Sequence, residues 1–120
     1  KIALLSTLAF GVKIPFDKIS IMGITDIEQL DVKHARELGL VIKLLAISQW
    51  QNGELEIRVQ PVMIPESHML AKVNGVYNAV HVTGDFVGST LYYGKGAGMS
   101  PTGSAVVGDI IAIARQLAKD

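Results

Sequence analysis

The sequence predicts an α+β domain: a mixed or antiparallel sheet of about four to five strands with helices packed on one face. Three observations predict it. Helical periodicity appears near both ends and once between them, and strand-like alternation fills the middle. No strand–helix–strand run carries a dinucleotide-binding fingerprint, which argues against a Rossmann unit.

The elements follow in order. Ile2–Phe10 reads as a helix, apolar on nearly every side and therefore expected to be buried, with Gly11 placed to end it. Pro15 breaks the next stretch, and Ile19-Ser20-Ile21 alternates like a short strand. Thr25-Asp26-Ile27-Glu28 has the spacing of a capping box, which predicts a helix running to about Leu38 with Gly39 just past its end. Residues 41–48 are apolar except for Lys43 and the terminal Ser48, the pattern of a central strand. Asn52-Gly53 signals a hairpin turn. In the strand after it, Leu55, Ile57 and Val59 alternate with Glu54, Glu56, Arg58 and Gln60, so the polar set is expected to face water. Pro61 and Pro65 are expected to bracket a loop, and residues 67–73 to make one or two helical turns. Residues 77–83 and 86–93 read as strands joined at Gly84-Asp85. A glycine-bearing loop over residues 94–98 leads to Ser100-Pro101, expected as N-cap and first helical residue of the last helix. Ala105, Ile110, Ile113, Ala114 and Leu117 give that helix its apolar face, and the pattern runs to Lys119-Asp120 without a terminator.

Composition narrows the function classes. One domain of 120 residues can bury about two thirds of its unfolded surface. Hydrophobic residues make up 49% and charged residues 18%, with a mean hydropathy of +0.37, which excludes disorder and suggests apolar surface meant for a neighbour. Lys plus Arg and Asp plus Glu number 11 each, so bulk charge attracts neither nucleic acid nor an anionic membrane. With no cysteine, disulfides, thiolate metal sites and cysteine nucleophiles are excluded. No apolar run reaches the roughly 18 residues that span a bilayer, and residues 2–12 are not followed by a cleavage pattern; a cytoplasmic protein is the expectation. The opening inside an apolar helix, with no initiator Met, suggests a piece of a longer protein.

Few residues point to chemistry by themselves. Three glycines in residues 94–98 allow positive φ and close backbone approach to a ligand, and the helix beyond offers free amides to an electron-rich group. A connection that merely needs glycine to turn is the other reading. The spacing matches neither a P-loop nor G-x-G-x-x-G. His34, His68 and His81 show no metal-ligand spacing, so no metal site is expected; His68, near a helix start, reads as a cap. Lys43 invites a catalytic reading, against a buried stem whose amine reaches water. Asp85 reads as a turn residue or an orienting carboxylate. Tyr92 and Tyr93 must face opposite sides of their strand.

Four segments together resemble homoserine dehydrogenase, in the part after its nucleotide-binding domain. They are Lys1-Ile-Ala-Leu-Leu-Ser-Thr-Leu-Ala-Phe-Gly11, Gly39-Leu-Val-Ile-Lys-Leu-Leu-Ala46, Asn78-Ala-Val-His-Val-Thr-Gly-Asp85, and Leu91-Tyr-Tyr-Gly-Lys-Gly-Ala-Gly-Met-Ser-Pro-Thr-Gly-Ser-Ala-Val-Val-Gly-Asp109. The last is the most specific, and the likeness spans essentially residues 1–120 as one substrate-binding, catalytic and dimerisation domain.

The resemblance implies an oxidoreductase that interconverts L-homoserine and L-aspartate 4-semialdehyde with NADP or NAD, on the route to threonine, methionine and isoleucine. It implies that Lys1 gives or takes a proton at the alcohol or aldehyde oxygen. Gly96, Ala97 and Gly98 would approach the cofactor, most of whose site lies in an upstream domain. It further implies a homodimer whose sheets join. The acidic partner of Lys1, the monovalent-cation site and a second lysine also belong upstream in the family. Met22-Gly23-Ile24 stands where relatives commonly have Glu-Gly-Ile. Gly103 replaces an alanine of the family pattern, weakening the helix by about 1 kcal/mol at most. Residues 1–120 alone are expected not to turn over. A dimerisation module without a catalytic residue, and a stand-alone ligand-binding α+β domain, are the rival readings.

Overall fold

The computed structural model describes residues 1–118, so the expected helix end at Lys119-Asp120 lies outside the described residues. The chain divides into two units, Lys1–Ala71 and Lys72–Asp120.

The first unit holds α1 (Ile2–Phe10), β1 (Ser20–Ile21), α2 (Gln29–Glu37), β2 (Leu40–Gln51) and β3 (Glu54–Pro65). Gly11 ends α1 in the left-handed region at φ 67°, its amide donating to the Thr7 carbonyl at 2.9 Å. Gly39 ends α2 the same way at φ 69°, with its amide on the Arg36 carbonyl at 2.9 Å. The start of α2 differs from expectation. Thr25-Asp26 forms a separate turn, and the cap is shifted three residues on: the Asp31 carboxylate accepts the Glu28 amide at 2.8 Å. A carboxylate there also faces the positive end of the helix.

β2 and β3 form one hairpin, paired antiparallel from Leu40↔Pro65 to Gln51↔Glu54. Asn52 (φ 53°) and Gly53 (φ 82°) make the turn, both in the left-handed region that matches the twist of a two-residue hairpin. β1 adds parallel to β3 at Arg58 and Val59, so the sheet order is β1-β3-β2. The expectation that β2 is central is thereby corrected: β3 is central and β2 is an edge. Its apolar run is instead covered by helices, since both α1 and α2 contact β2.

The expected loop between Pro61 and Pro65 is also corrected; both prolines lie inside β3. β1 pairs only as far as Val59, with Met22 donating to the Val59 carbonyl at 2.7 Å. Beyond that point β3 has one neighbour, so a proline can sit there without costing a bond on both sides. The alternation in β3 is as predicted: Ile57 is buried, and Glu56 and Arg58 lie on the other side and pair with each other.

The core of this unit is small, comprising Ile19, Ala35, Ile57, Ile64 and Ala71. Phe10 meets Trp50 edge-on at 5.9 Å between ring centroids, which fixes the end of α1 against β2. Only Ser6 of α1 is buried, at 2% exposure, while Leu8 is 82% exposed. The expected burial of the whole helix therefore does not hold within this chain, because one strand covers one side of a helix that is apolar on nearly all of them. A 3₁₀ turn at Met69–Lys72 follows, as the sequence suggests.

The second unit is a hairpin of β4 (Tyr77–Gly84) and β5 (Gly88–Lys95), then α3 (Met99–Leu117). Asp85, Phe86 and Val87 form the turn, with Gly88 at φ 71°, so Phe86 belongs to the turn rather than to a strand. Tyr77 and Tyr93 stack at 4.9 Å with nearly parallel rings on one face of the hairpin, and Tyr92 lies exposed on the other. α3 starts at Met99 with Gly98 as its cap, so Ser100 is not the N-cap and Pro101 is the third helical residue. No side chain of α3 is buried. The class is α+β as predicted, but the strands form two sheets, of three and two, rather than one.

Candidate functional site

Lys1 stands at the N-cap of α1, exposed, with its carbonyl accepting the Leu5 amide at 3.0 Å. The next three amides of a helix have no intrahelical acceptor, and the dipole makes this end positive. An ammonium here adds its charge to that of the helix end. Both favour an oxygen that gains negative charge.

The glycine loop lies in the second unit. β5 runs through Gly94 and Lys95, leaving Gly96, Ala97 and Gly98 as the connection into α3. The two flanking glycines are needed for different reasons. Gly98 has φ 118° and ψ 156°, a backbone that is essentially restricted to glycine. Gly96 has an ordinary backbone but no space: the carboxamide of Asn78 occupies the volume that a Cβ would take, with Asn78 Cβ 3.1 Å from that position. The Gly96 amide donates to the Val76 carbonyl at 3.0 Å. Pro101 contributes no amide to the first turn of α3, so Met99 and Ser100 supply its free donors. With a methyl at 97 and no side chain at 98, Ala97 and Gly98 present exposed backbone, while Gly96 is covered on one side by Asn78 and its amide is already bonded.

The structure places Lys1 in the first unit and residues 96–98 in the second. The other candidates take structural roles. His68 Nδ1 accepts the Leu70 amide at 3.1 Å, the capping role the sequence suggests. His34 is exposed on α2, and His81 sits in β4 opposite Leu91. Among the described residues no cluster of three or more His, Asp or Glu could hold a metal ion. Lys43 is half-buried in β2, opposite Val62. Asp85 is a turn residue.

One carboxylate is electrostatically distinct. Gln49 donates to Glu56 at 3.0 Å, and that bond, followed by the Arg58 guanidinium, holds the Glu56 carboxyl below the usual carboxylate range. This trio belongs to the β2–β3 hairpin. Two depressions of the surface are lined by other residues. The larger, about 410 Å³, is lined by α2 alone through Gln29, Val32, Lys33, Arg36 and Glu37. The smaller, about 210 Å³, lies between the residues after α1 and β3, among Ile14, Ile19, Leu55 and Ile57.

Sequence reasoning missed Asn78. It lies directly across from Gly94 in the β4–β5 register, and Gly96 is the next residue on that face. No local spacing links 78 to 96; only the strand pairing does.

Comparison with known proteins bears on the whole chain. A family model described as homoserine dehydrogenase matches residues 1–111. The homoserine dehydrogenase of Neisseria gonorrhoeae is 51% identical over all 120 residues, and that of Pseudomonas aeruginosa 46% identical. The chain spans about 28% of the length of each. A solved homoserine dehydrogenase from Thiobacillus denitrificans is similar with a TM-score of 0.93 and 46% identity, over 100% of this chain and 28% of that one.

Proposed function

We propose a function from one premise: the chain belongs to the homoserine dehydrogenase family. The protein of which it forms a part interconverts L-homoserine and L-aspartate 4-semialdehyde, using NADP or NAD. Residues 1–120 act as one substrate-binding, catalytic and dimerisation domain. The placement of Lys1 at the N-terminus of α1 carries this reading, because an ammonium and the positive end of a helix both favour an oxygen that gains negative charge.

When bound, the nicotinamide cofactor supplies or takes the hydride. Every other task falls to side chains and backbone. In the reductive direction Lys1 hydrogen-bonds the aldehyde oxygen, stabilises the negative charge that grows on it, and gives it a proton. In the oxidative direction the neutral amine takes the hydroxyl proton. Residues 96–98 face the cofactor with backbone rather than side chains, and the free amides of α3 hold its electron-rich groups. The upstream part of the protein supplies the remainder of the cofactor site.

The whole protein acts in the cytoplasm as a homodimer, in the formation of threonine, methionine and isoleucine. The unpaired edge of β2 over 12 residues and the exposed apolar side chains of α1 and α3 support an interface role, which is compatible with the catalytic one.

The test is homoserine-dependent NADH or NADPH formation by the full-length protein. A folded full-length protein without that activity overturns the proposal. Residues 1–120 alone are expected to give no turnover, because the oriented neighbours are missing.

A further inference from the structure

We propose that Asn78 is the positioning residue of the cofactor-side loop: its carboxamide, lying over Gly96, sets where residues 96–98 run. This rests on the reading of that loop as cofactor-binding and adds a residue to it.

The geometry follows from the register. Asn78 in β4 pairs with Gly94 in β5, so its direct cross-strand neighbour has no side chain. A cross-strand diagonal lies within reach of a long side chain. Gly96 is the next residue on that face, and the Asn78 carboxamide covers it so closely that a Cβ at 96 would overlap the Asn78 side chain. From the other side, the Gly96 amide is tied to the Val76 carbonyl at 3.0 Å. Two residues, one in the turn before β4 and one in β4, thus grip one glycine, Val76 by its backbone and Asn78 by its bulk.

Gly96 departs from the other glycines here. Gly94 and Gly103 have open space within 4 Å of a Cβ and an ordinary φ, whereas Gly98 is fixed by its positive φ. Only at Gly96 is the requirement purely one of volume, set by a partner far away in sequence. A requirement of that kind is reciprocal. Adding a methyl at 96 must displace the Asn78 carboxamide, the loop or both, and removing the Asn78 side chain makes room for that methyl.

The experiment uses the full-length enzyme and three variants. Gly96→Ala is expected to raise the KM for NADPH or NADH about tenfold or more, since displacement of an oriented group by an ångström can cost up to about a hundredfold. The double variant Asn78→Ala/Gly96→Ala is expected to recover most of that loss. Asn78→Ala alone removes the side chain that lies over Gly96 and is expected to raise the cofactor KM several-fold with kcat changed much less. It also serves if Gly96→Ala fails to fold.

A double variant no better than Gly96→Ala, or an unchanged cofactor KM for Asn78→Ala, overturns the positioning role but leaves the loop's cofactor role standing. If Gly96→Ala lowers the melting temperature and the double variant restores it, with the cofactor KM unmoved throughout, the contact is packing only. In that case both the proposal and the cofactor reading of the loop fall.

Discussion

Replacing Lys1 by alanine in the full-length enzyme separates chemistry from stability. The side chain is exposed, and the hydrogen bond that starts α1 comes from the Lys1 carbonyl, which alanine keeps. Loss of an exposed side chain away from packed features costs within about 0.5 kcal/mol. Removing a positive charge from the positive end of a helix returns roughly 0.3–1 kcal/mol. The variant should therefore be at least as stable as the parent. Its kcat should nevertheless fall by about a hundredfold to ten-thousandfold, the usual range for a lost proton donor or acceptor, with the KM for homoserine changed much less. Lys1→Arg should recover only part of the loss, because a guanidinium keeps the charge but does not release its proton. Steady-state kinetics and a thermal melt on the same preparations provide the check. A kcat within tenfold of the parent removes Lys1 from the chemistry. A kcat loss accompanied by a melting temperature several degrees lower shows that the side chain holds structure, and the separation argued above fails.

Three further outcomes concern the first unit. Gly53→Val should destabilise by about 1–2 kcal/mol through the left-handed backbone alone, since a Cβ there meets nothing within 4 Å; an unchanged melt refutes it. Ala35→Leu places a large side chain at a residue 1% exposed on α2 and should cost about 1–3 kcal/mol, read as a lower midpoint in urea. Glu56 has a folded-state pKa below its unfolded value. Its contribution to stability is therefore present above the ordinary carboxylate range and disappears as pH falls through the lowered folded value. Glu56→Gln should flatten that portion of the melting-temperature profile below neutral pH, and an acid limb identical to the parent's contradicts this.

What could be read from sequence was what the local backbone dictates. Gly11, Gly39 and Asn52-Gly53 each need a left-handed residue at a fixed place, and all four are found there. Such requirements are written in residue type. Errors arose where the deciding partner is distant. Hydropathy gave β2 an interior position, but a run of apolar residues cannot say whether a strand or a helix covers it. Pro61 looked like a loop boundary because nothing in the sequence tells how far β1 reaches along β3. The N-caps of α2 and α3 are Glu28 and Gly98, a few residues from the Thr25 and Ser100 that the sequence favours, because neither Glu nor Gly announces a helix start as Ser and Thr do. The candidate site followed the same division. The glycine loop stands out by composition, whereas Asn78 emerges only once Asn78 is paired with Gly94.

The nakedness of α3 has a consequence in time. A 19-residue helix whose Ile110, Ile113 and Leu117 are all exposed gains little from its own chain, and most helical stability in proteins comes from packing an apolar face. As the nascent polypeptide leaves the ribosome, this stretch is exposed apolar surface of the kind a chaperone meets.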